Sequence, residues 1–340
     1  MARQRIIYQS ESVSVDGVTA IGVQSCSYGL DVTREDVLQF GDLGAVDRII
    51  LEAPVANMEV SMYVNGLAGS KLNNIVQKGV AGSGIDCVVS LGSEGNDYES
   101  GASTNNVKIT SGSLTSLSAE SSVGAIPTLT LGFEGTDLAY FVGTGDGVTH
   151  AADAPTATGA GLINVATQSG VVVDFGSIRG TVTGHYVHPQ SCSVSFDLGV
   201  EGLQELSYKI QPDAGGAESI VNGGNKFQYA RVPSYPATAS MELEAFAVDQ
   251  GMTMTLATLQ QKASENPDTS TGAANSGGKC NVGVNMGGTT FSLVNSTLDS
   301  VSFSSSIGDT AATCNATFSV SIGGPNSNSR LDIAGTTGPE

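Results

Sequence analysis

Three stretches of the chain alternate apolar and polar residues with the period of two that sends a strand's side chains to opposite faces of a sheet. They are Cys26, Tyr28, Leu30 and Val32; Met58, Val60, Met62 and Val64; and Leu129, Leu131 and Phe133. The pattern then returns in Cys192, Val194, Phe196 and Leu198, in Met241, Leu243, Ala245 and Ala247, and in Phe318, Val320 and Ile322. Each stretch predicts a strand with one buried face.

The return is a repeat of sequence as well as of pattern. VQSCSYGLDVTREDVLQF, from Val23, is answered by PQSCSVSFDLGVEGLQEL, from Pro189, with Cys26 matched to Cys192 at an offset of 192 − 26 = 166. Met58-Glu59 matches Met241-Glu242. Leu72, Ile75, Gln77 and Lys78 match Leu256, Leu259, Gln261 and Lys262 at an offset of 184, and Leu114, Ser116 and Ser118 match Leu298, Ser300 and Ser302 at the same offset. TLTLGFEG, from Thr128, resembles ATFSVSIGG, from Ala316. An insertion around Lys209 to Tyr229 separates the first two matched blocks of the second copy. The expected organisation is a first domain over 1–145, a linker over 146–170, a second domain over 171–324 and an extended tail over 325–340.

Two kinds of helix interrupt the strands. Thr33-x-x-Asp36 ahead of Val37-Leu38, with Gly41 as terminator, has the form of a capping box and predicts a short helix. Lys71 to Lys78, and Thr255 to Lys262 in the second copy, carry apolar residues three apart and predict a helix laid on a sheet. The fold expected is all-β: two tandem homologous β-sandwich or partly closed barrel domains, each with a flanking short helix.

Composition agrees with that expectation. Glycine is abundant, with 44 residues in 340, and tryptophan is absent, so the cores must be built from aliphatic side chains. The 14 Lys and Arg against 33 Asp and Glu leave a net charge of −19, which excludes a phosphate-gripping nucleic-acid binder. Such charge keeps a protein soluble or lines a surface past which polyanions slide. The N-terminus lacks the apolar run of a secretion signal and no stretch approaches the length of a membrane span. The five cysteines show no C-x-x-C spacing, which argues against a zinc site or disulfide framework.

Catalytic constellations are thin. His185-x-x-His188 leads into a strand, where residues three apart point to opposite faces, so a shared metal is not expected. SGGKC around Lys279 misses a phosphate-binding loop, with Ala273 for the first Gly and Cys280 for Ser or Thr. GTGDG, from Gly143, is a Gly-rich turn. Glu35-Asp36, or Glu242 with Glu244, are carboxylate pairs of the kind used for acid–base work or calcium, yet pairs arise freely among 33 carboxylates. No catalytic, metal or cofactor site is assigned, and a non-enzymatic role is expected.

Gly22-Val-Gln-Ser-x-Ser-Tyr-Gly-Leu-Asp-Val-x-Arg-Glu-Asp-Val, followed by Phe40-Gly-Asp-Leu-Gly, Arg48 and the strand from Pro54 to Met62, resembles the tail tube proteins of tailed bacteriophages. The resemblance covers residues 20 to 65 and returns in degraded form near 189, where Gly199-Val200 replace Thr33-Arg34. It implies domains whose sheets join side by side into rings, and rings that stack into a tube through which DNA leaves without specific binding. Duplication then implies three chains per ring, six domains in all. The partners implied are further copies of the chain and other tail proteins, and the location is the virion tail after synthesis in the bacterial cytoplasm. Asp31, Arg34, Glu35 and Asp36, with Asp197 and Glu201, are the implied inter-subunit contacts. A tail hub, a capsid decoration protein or a surface-displayed binding module would share the acidic all-β character.

Overall fold

The alternating stretches form strands in a mostly β computed structural model, which describes residues 11–50, 52, 54–91, 105–142, 171–174, 185–186, 189–206, 210–212, 218–220, 227–246, 280–306, 312–323 and 330–334. The N-terminal part supplies β1 (Glu11–Val15), β2 (Val18–Thr19), β3 (Val23–Asp31), β4 (Arg34–Leu38), β5 (Ala45–Ile50), β6 (Val55–Tyr63), helix α1 (Gly69–Val80), β7 (Ile85–Leu91), β8 (Asn105–Ser122), β9 (Thr128–Gly135) and β10 (Leu138–Val142). The C-terminal part supplies β11 (Val171–Asp174), β12 (His185–Tyr186), β13 (Pro189–Leu206), β14 (Ile210–Pro212), β15 (Glu218–Ile220), β16 (Phe227–Phe246), β17 (Cys280–Met286), β18 (Thr289–Ser304), β19 (Thr313–Ile322) and β20 (Leu331–Ala334).

Sixteen of these strands join in one antiparallel sheet. Its pairings run in the same scheme through both parts. In the first, β2 pairs β1, β1 pairs β7, β7 pairs β8, β8 pairs β10 and β9, β9 pairs β6, and β6 pairs β3. In the second, β12 pairs β11, β11 pairs β17, β17 pairs β18, β18 pairs β20 and β19, β19 pairs β16, and β16 pairs β13. The irregularities correspond too. Ser111 in β8 and Asn295 in β18 both have positive φ, and 295 − 111 = 184. Bulges fall between Leu114 and Ser116 and between Leu298 and Ser300.

Strand pairing corrects one sequence match. Phe133 faces Met58 and Leu114, and Phe318 faces Met241 and Leu298, so Phe318 stands where Phe133 does rather than where Leu129 does. A period of two fixes which face a residue takes but leaves slips of two or four residues unresolved.

The helix expected over Thr33 to Gly41 is not formed. Arg34–Leu38 is a strand, paired with Ala45–Ile50 in a separate two-stranded hairpin with Asp36 opposite Arg48. One or two turns of isolated helix are marginal, whereas the β-branched residues Val46, Ile49 and Ile50 supply a strand partner across a Gly-containing turn. The helix expected over Lys71 to Lys78 is present and longer, as α1. Its Leu72, Ile75, Val76 and Val80 are buried. Gly82, at φ +68°, ends it in a Schellman motif: the Gly82 N–H donates to Gly79 O and the Ser83 N–H to Lys78 O. Lys78 Nζ then reaches Asp16 in the β1–β2 turn at 2.5 Å. The helix expected over Thr255 to Lys262, the linker, His188, the Gly143 turn and Lys279 lie outside the described residues, and Cys280 begins a strand. Within the expected tail, Leu331–Ala334 pairs with β18 of the same chain.

The buried apolar residues of both parts form one cluster, from Val13 to Ile333. The β8 kink that leads its polypeptide from β7 and β10 to β9 is pinned by Asp86, which accepts the Ser111 N–H at 2.9 Å and meets Lys108 at 3.2 Å. Burial alone would raise the Asp86 pKa. The Ser111 hydrogen bond and Lys108 outweigh it, and the carboxyl sits below its ordinary range. A depressed carboxyl pKa stabilises the fold above the unfolded value, and that stabilisation is lost as pH falls through the folded value. Asp86→Asn is therefore expected to destabilise the chain above about pH 4 and to lose its effect at lower pH. Denaturant midpoints of both proteins across this range check it, and a pH-independent difference would refute the assignment.

Candidate assembly interface

The two parts meet edge to edge. β8 pairs with β13 from Ser116 opposite Asp197 to Ser122 opposite Ser191, and the Val123 N–H extends the ladder by donating to Gln190 O. The result is a row of eight strands in the order β3-β6-β9-β8-β13-β16-β19-β18. On one face of the junction Leu117 and Ala119 lie opposite Phe196 and Val194, all four at most 1% exposed. On the other face Ser116, Ser118 and Glu120 lie opposite Asp197, Ser195 and Ser193.

Side chains fasten this seam from both sides. Gly79 of α1 lies against Leu114 and Leu198, where a Cβ would stand 3.0 Å from Leu114 Cβ and 3.6 Å from Leu198 Cδ2. Tyr235 of β16 donates its hydroxyl to Val80 O at the end of α1. Arg231, also on β16, pairs with Glu134 at 3.1 Å and donates to Pro54 O at 3.2 Å. Asn73 of α1 accepts the Ile333 N–H of β20.

The row has two ends. Among the described strands β3 pairs only with β6, and the segment of β18 from Thr297 onward pairs only with β19. Register places Tyr28 and Leu30 of β3, and Val301 and Phe303 of β18, on the apolar face. Yet Tyr28 is 38% exposed, Leu30 42% and Phe303 42%. These residues have the alternation of buried strands and sit at the rim, a distinction that periodicity alone does not carry.

The opposite face of the row is polar and acidic. Glu59, Glu120, Glu134, Asp197, Glu242 and Glu244 stand on it, and none of the segments 23–31, 55–63, 113–122, 128–135, 189–198, 237–246, 297–304 and 313–322 contains Lys or Arg. A concavity of about 640 Å³ lies across β8, β13, β16 and β19, lined in part by Glu120, Ser193, Glu242, Glu244 and Thr317. Glu244 there accepts a hydrogen bond from Ser191 Oγ at 2.9 Å. Burial pushes the Cys192 thiol up to about 11, so it stays protonated at neutral pH. Among the described residues no group of three or more His, Cys, Asp and Glu is placed to hold a metal ion.

The residues expected at subunit contacts are spread over this frame. Asp31 ends β3 at the open rim. Arg34, Glu35 and Asp36 lie on β4, all exposed, in a hairpin that also exposes Leu38, Phe40 and Leu43. Asp36 accepts Arg48 Nε at 2.5 Å, a bond that raises the Arg48 pKa. Asp197 faces Ser116 across the internal seam, and Glu201 is exposed farther along β13, opposite Val232.

No protein-family profile matches the chain, and no curated protein matches it. Among solved structures it is similar to a chain of the tail of an empty gene transfer agent particle, refined with C6 symmetry, at 11% identity over 49% of this chain and 94% of that one, with a TM-score of 0.29. It is also similar to a chain of the virion of a native gene transfer agent particle, at 10% identity over 51% and 99%, with a TM-score of 0.27.

The closed seam and the open rims make opposite demands on stability. In the isolated chain, Phe196→Ala is expected to cost about 3–5 kcal/mol and Leu30→Ala less than about 1 kcal/mol. Urea unfolding at dilute concentration measures both, and equal losses would show that Leu30 is as buried as Phe196.

Proposed function

We propose that this chain is the tube subunit of a phage-type tail, a structural protein that assembles with copies of itself. The observation that carries the reading is the row of eight strands with a finished seam at its centre and an open strand at each end. In this reading the two parts are duplicated β-sandwich domains, supported by their common pairing scheme and by the 184-residue offset of the Ser111 and Asn295 kinks. Adding chains edge to edge continues the row, and three chains close it into a ring of six domains. Closure hides the strand edges that a single copy leaves to solvent.

The acidic concave face then lines the channel. The strand segments of this wall are rich in Ser, Thr and carboxylates and carry no Lys or Arg, and the guanidinium of Arg231 beside it is held by Glu134, so phosphates find little to hold and DNA passes without specific binding. Asp31 at the rim and Arg34, Glu35 and Asp36 on the projecting hairpin are proposed contacts with other copies, and the exposed hairpin fits stacking on a neighbouring ring. Asp197 serves the seam within one chain, and Glu201 extends that strand outward. Other tail proteins cap the tube, and the virion tail is where the chain works.

Native mass spectrometry and negative-stain electron microscopy of the concentrated 34.5 kDa chain test this. Rings or hollow tubes with three chains per layer are the expected outcome. Six chains per layer would retain the tube but place only one domain of each chain in the wall. A chain that stays monomeric, even with preformed tail tips added as seeds, would overturn the reading.

A further inference from the structure

The internal seam prescribes how one copy meets the next. Along it, Asp197, Phe196, Ser195, Val194, Ser193 and Cys192 face Ser116, Leu117, Ser118, Ala119, Glu120 and Ser121 in turn. The strand bearing Cys26 corresponds to the one bearing Cys192 at 192 − 26 = 166, and β8 corresponds to β18 at 300 − 116 = 184. Carried through those offsets, Asp31 falls opposite Ser300, Leu30 opposite Val301, Gly29 opposite Ser302, Tyr28 opposite Phe303, Ser27 opposite Ser304 and Cys26 opposite Ser305.

We propose that β3 of one copy pairs antiparallel with β18 of the next in this register, head to tail. The inference rests on the ring reading above and adds the partner strands and their alignment. Both faces suit it. The apolar side chains left exposed at the two rims, Tyr28 and Leu30 on one and Phe303 on the other, meet across the new ladder, where Phe196, Val194, Leu117 and Ala119 meet in the old one. On the polar face a carboxylate meets a hydroxyl, and no two acids stand opposite each other. A slip of one residue would turn Tyr28 and Leu30 toward the polar face. A slip of two in one direction would set Leu30 against Asp299.

The native Cys26 makes the register measurable with one substitution. Directly opposed residues of an antiparallel pair bring their Cβ atoms within disulfide reach. Ser305→Cys, treated with diamide after assembly, is expected to link each copy to the next and give a ladder of covalent multimers on a non-reducing gel, abolished by adding Cys26→Ser. Ser121→Cys is the internal control, because it faces Cys192 and is expected to lose both thiols within a single chain. Phe303→Cys, two positions away and combined with Cys314→Ser because it faces that thiol within the chain, and Ser304→Cys, on the other face, are expected to give no ladder. If native mass spectrometry shows rings but the ladder comes from Phe303→Cys or Ser304→Cys, or from no variant, the register is wrong and the ring reading stands. If copies never associate, both fall.

Discussion

A β-strand satisfies half of its backbone hydrogen bonds with each neighbour, and the outermost strands of a sheet leave one set to solvent. In this chain the pairing of β8 with β13 settles where those sets lie. It uses one edge of each part and leaves the other two, β3 and the end of β18, at opposite ends of one row. Had the parts met face to face, four edges would remain, in no definite relation. The edge-to-edge seam gives the molecule a direction, with unlike surfaces at head and tail. Heterologous surfaces, where they associate, do not finish in a two-fold dimer; they give rings where the rotation closes and open filaments where it does not.

The seam is held by more than its ladder. Buried apolar pairs on one face contribute about 1.5–3 kcal/mol for each large side chain fully withdrawn from water. Helix α1 lies over the same line, with Gly79 admitting Leu198 and the Val80 carbonyl receiving Tyr235. Because α1 belongs to the first part and Tyr235 and Leu198 to the second, a change of angle between the parts would separate contacts on two levels at once. The angle at the seam is thus a property of packing, and the curvature of the acidic face follows from it.

How far the sequence carried depended on whether burial was at stake. Met58, Val60 and Met62, or Val194, Phe196 and Leu198, had to alternate because one face of each meets the core, and α1 had to place Leu72, Ile75 and Val80 on one side. Residues 33–41 had no such obligation. Val37, Leu38 and Phe40 remain exposed, so local capping signals spoke for a helix while hairpin pairing with the β-branched strand Ala45–Ile50 decided for a strand. Tyr28 and Leu30 were legible as strand residues of the apolar face, but their place at the rim depends on which strands lie beside β3. The carboxylates of the acidic face were visible only as a net charge and as the local pair Glu242 with Glu244, since it takes the register of eight strands to bring Glu59, Glu120 and Glu242 to one side.

Two arginines show the difference between the closed seam and the open rim. Arg231 precedes Met241 by the same ten residues that separate Arg48 from Met58, and both lie on the arm that leads into a matched strand. At the internal seam the Arg231 side chain is 9% exposed, drawn onto Glu134 and the Pro54 carbonyl of the other part. At the open rim the Arg48 side chain is 66% exposed and, among the described residues, holds Asp36 of its own hairpin. A pair so exposed contributes little by itself, about 0–1 kcal/mol, and its guanidinium is readily redirected. The arms that lead into Met58 and Met241 thus carry the same residue type 183 residues apart, exposed on a hairpin in one case and buried at the seam in the other.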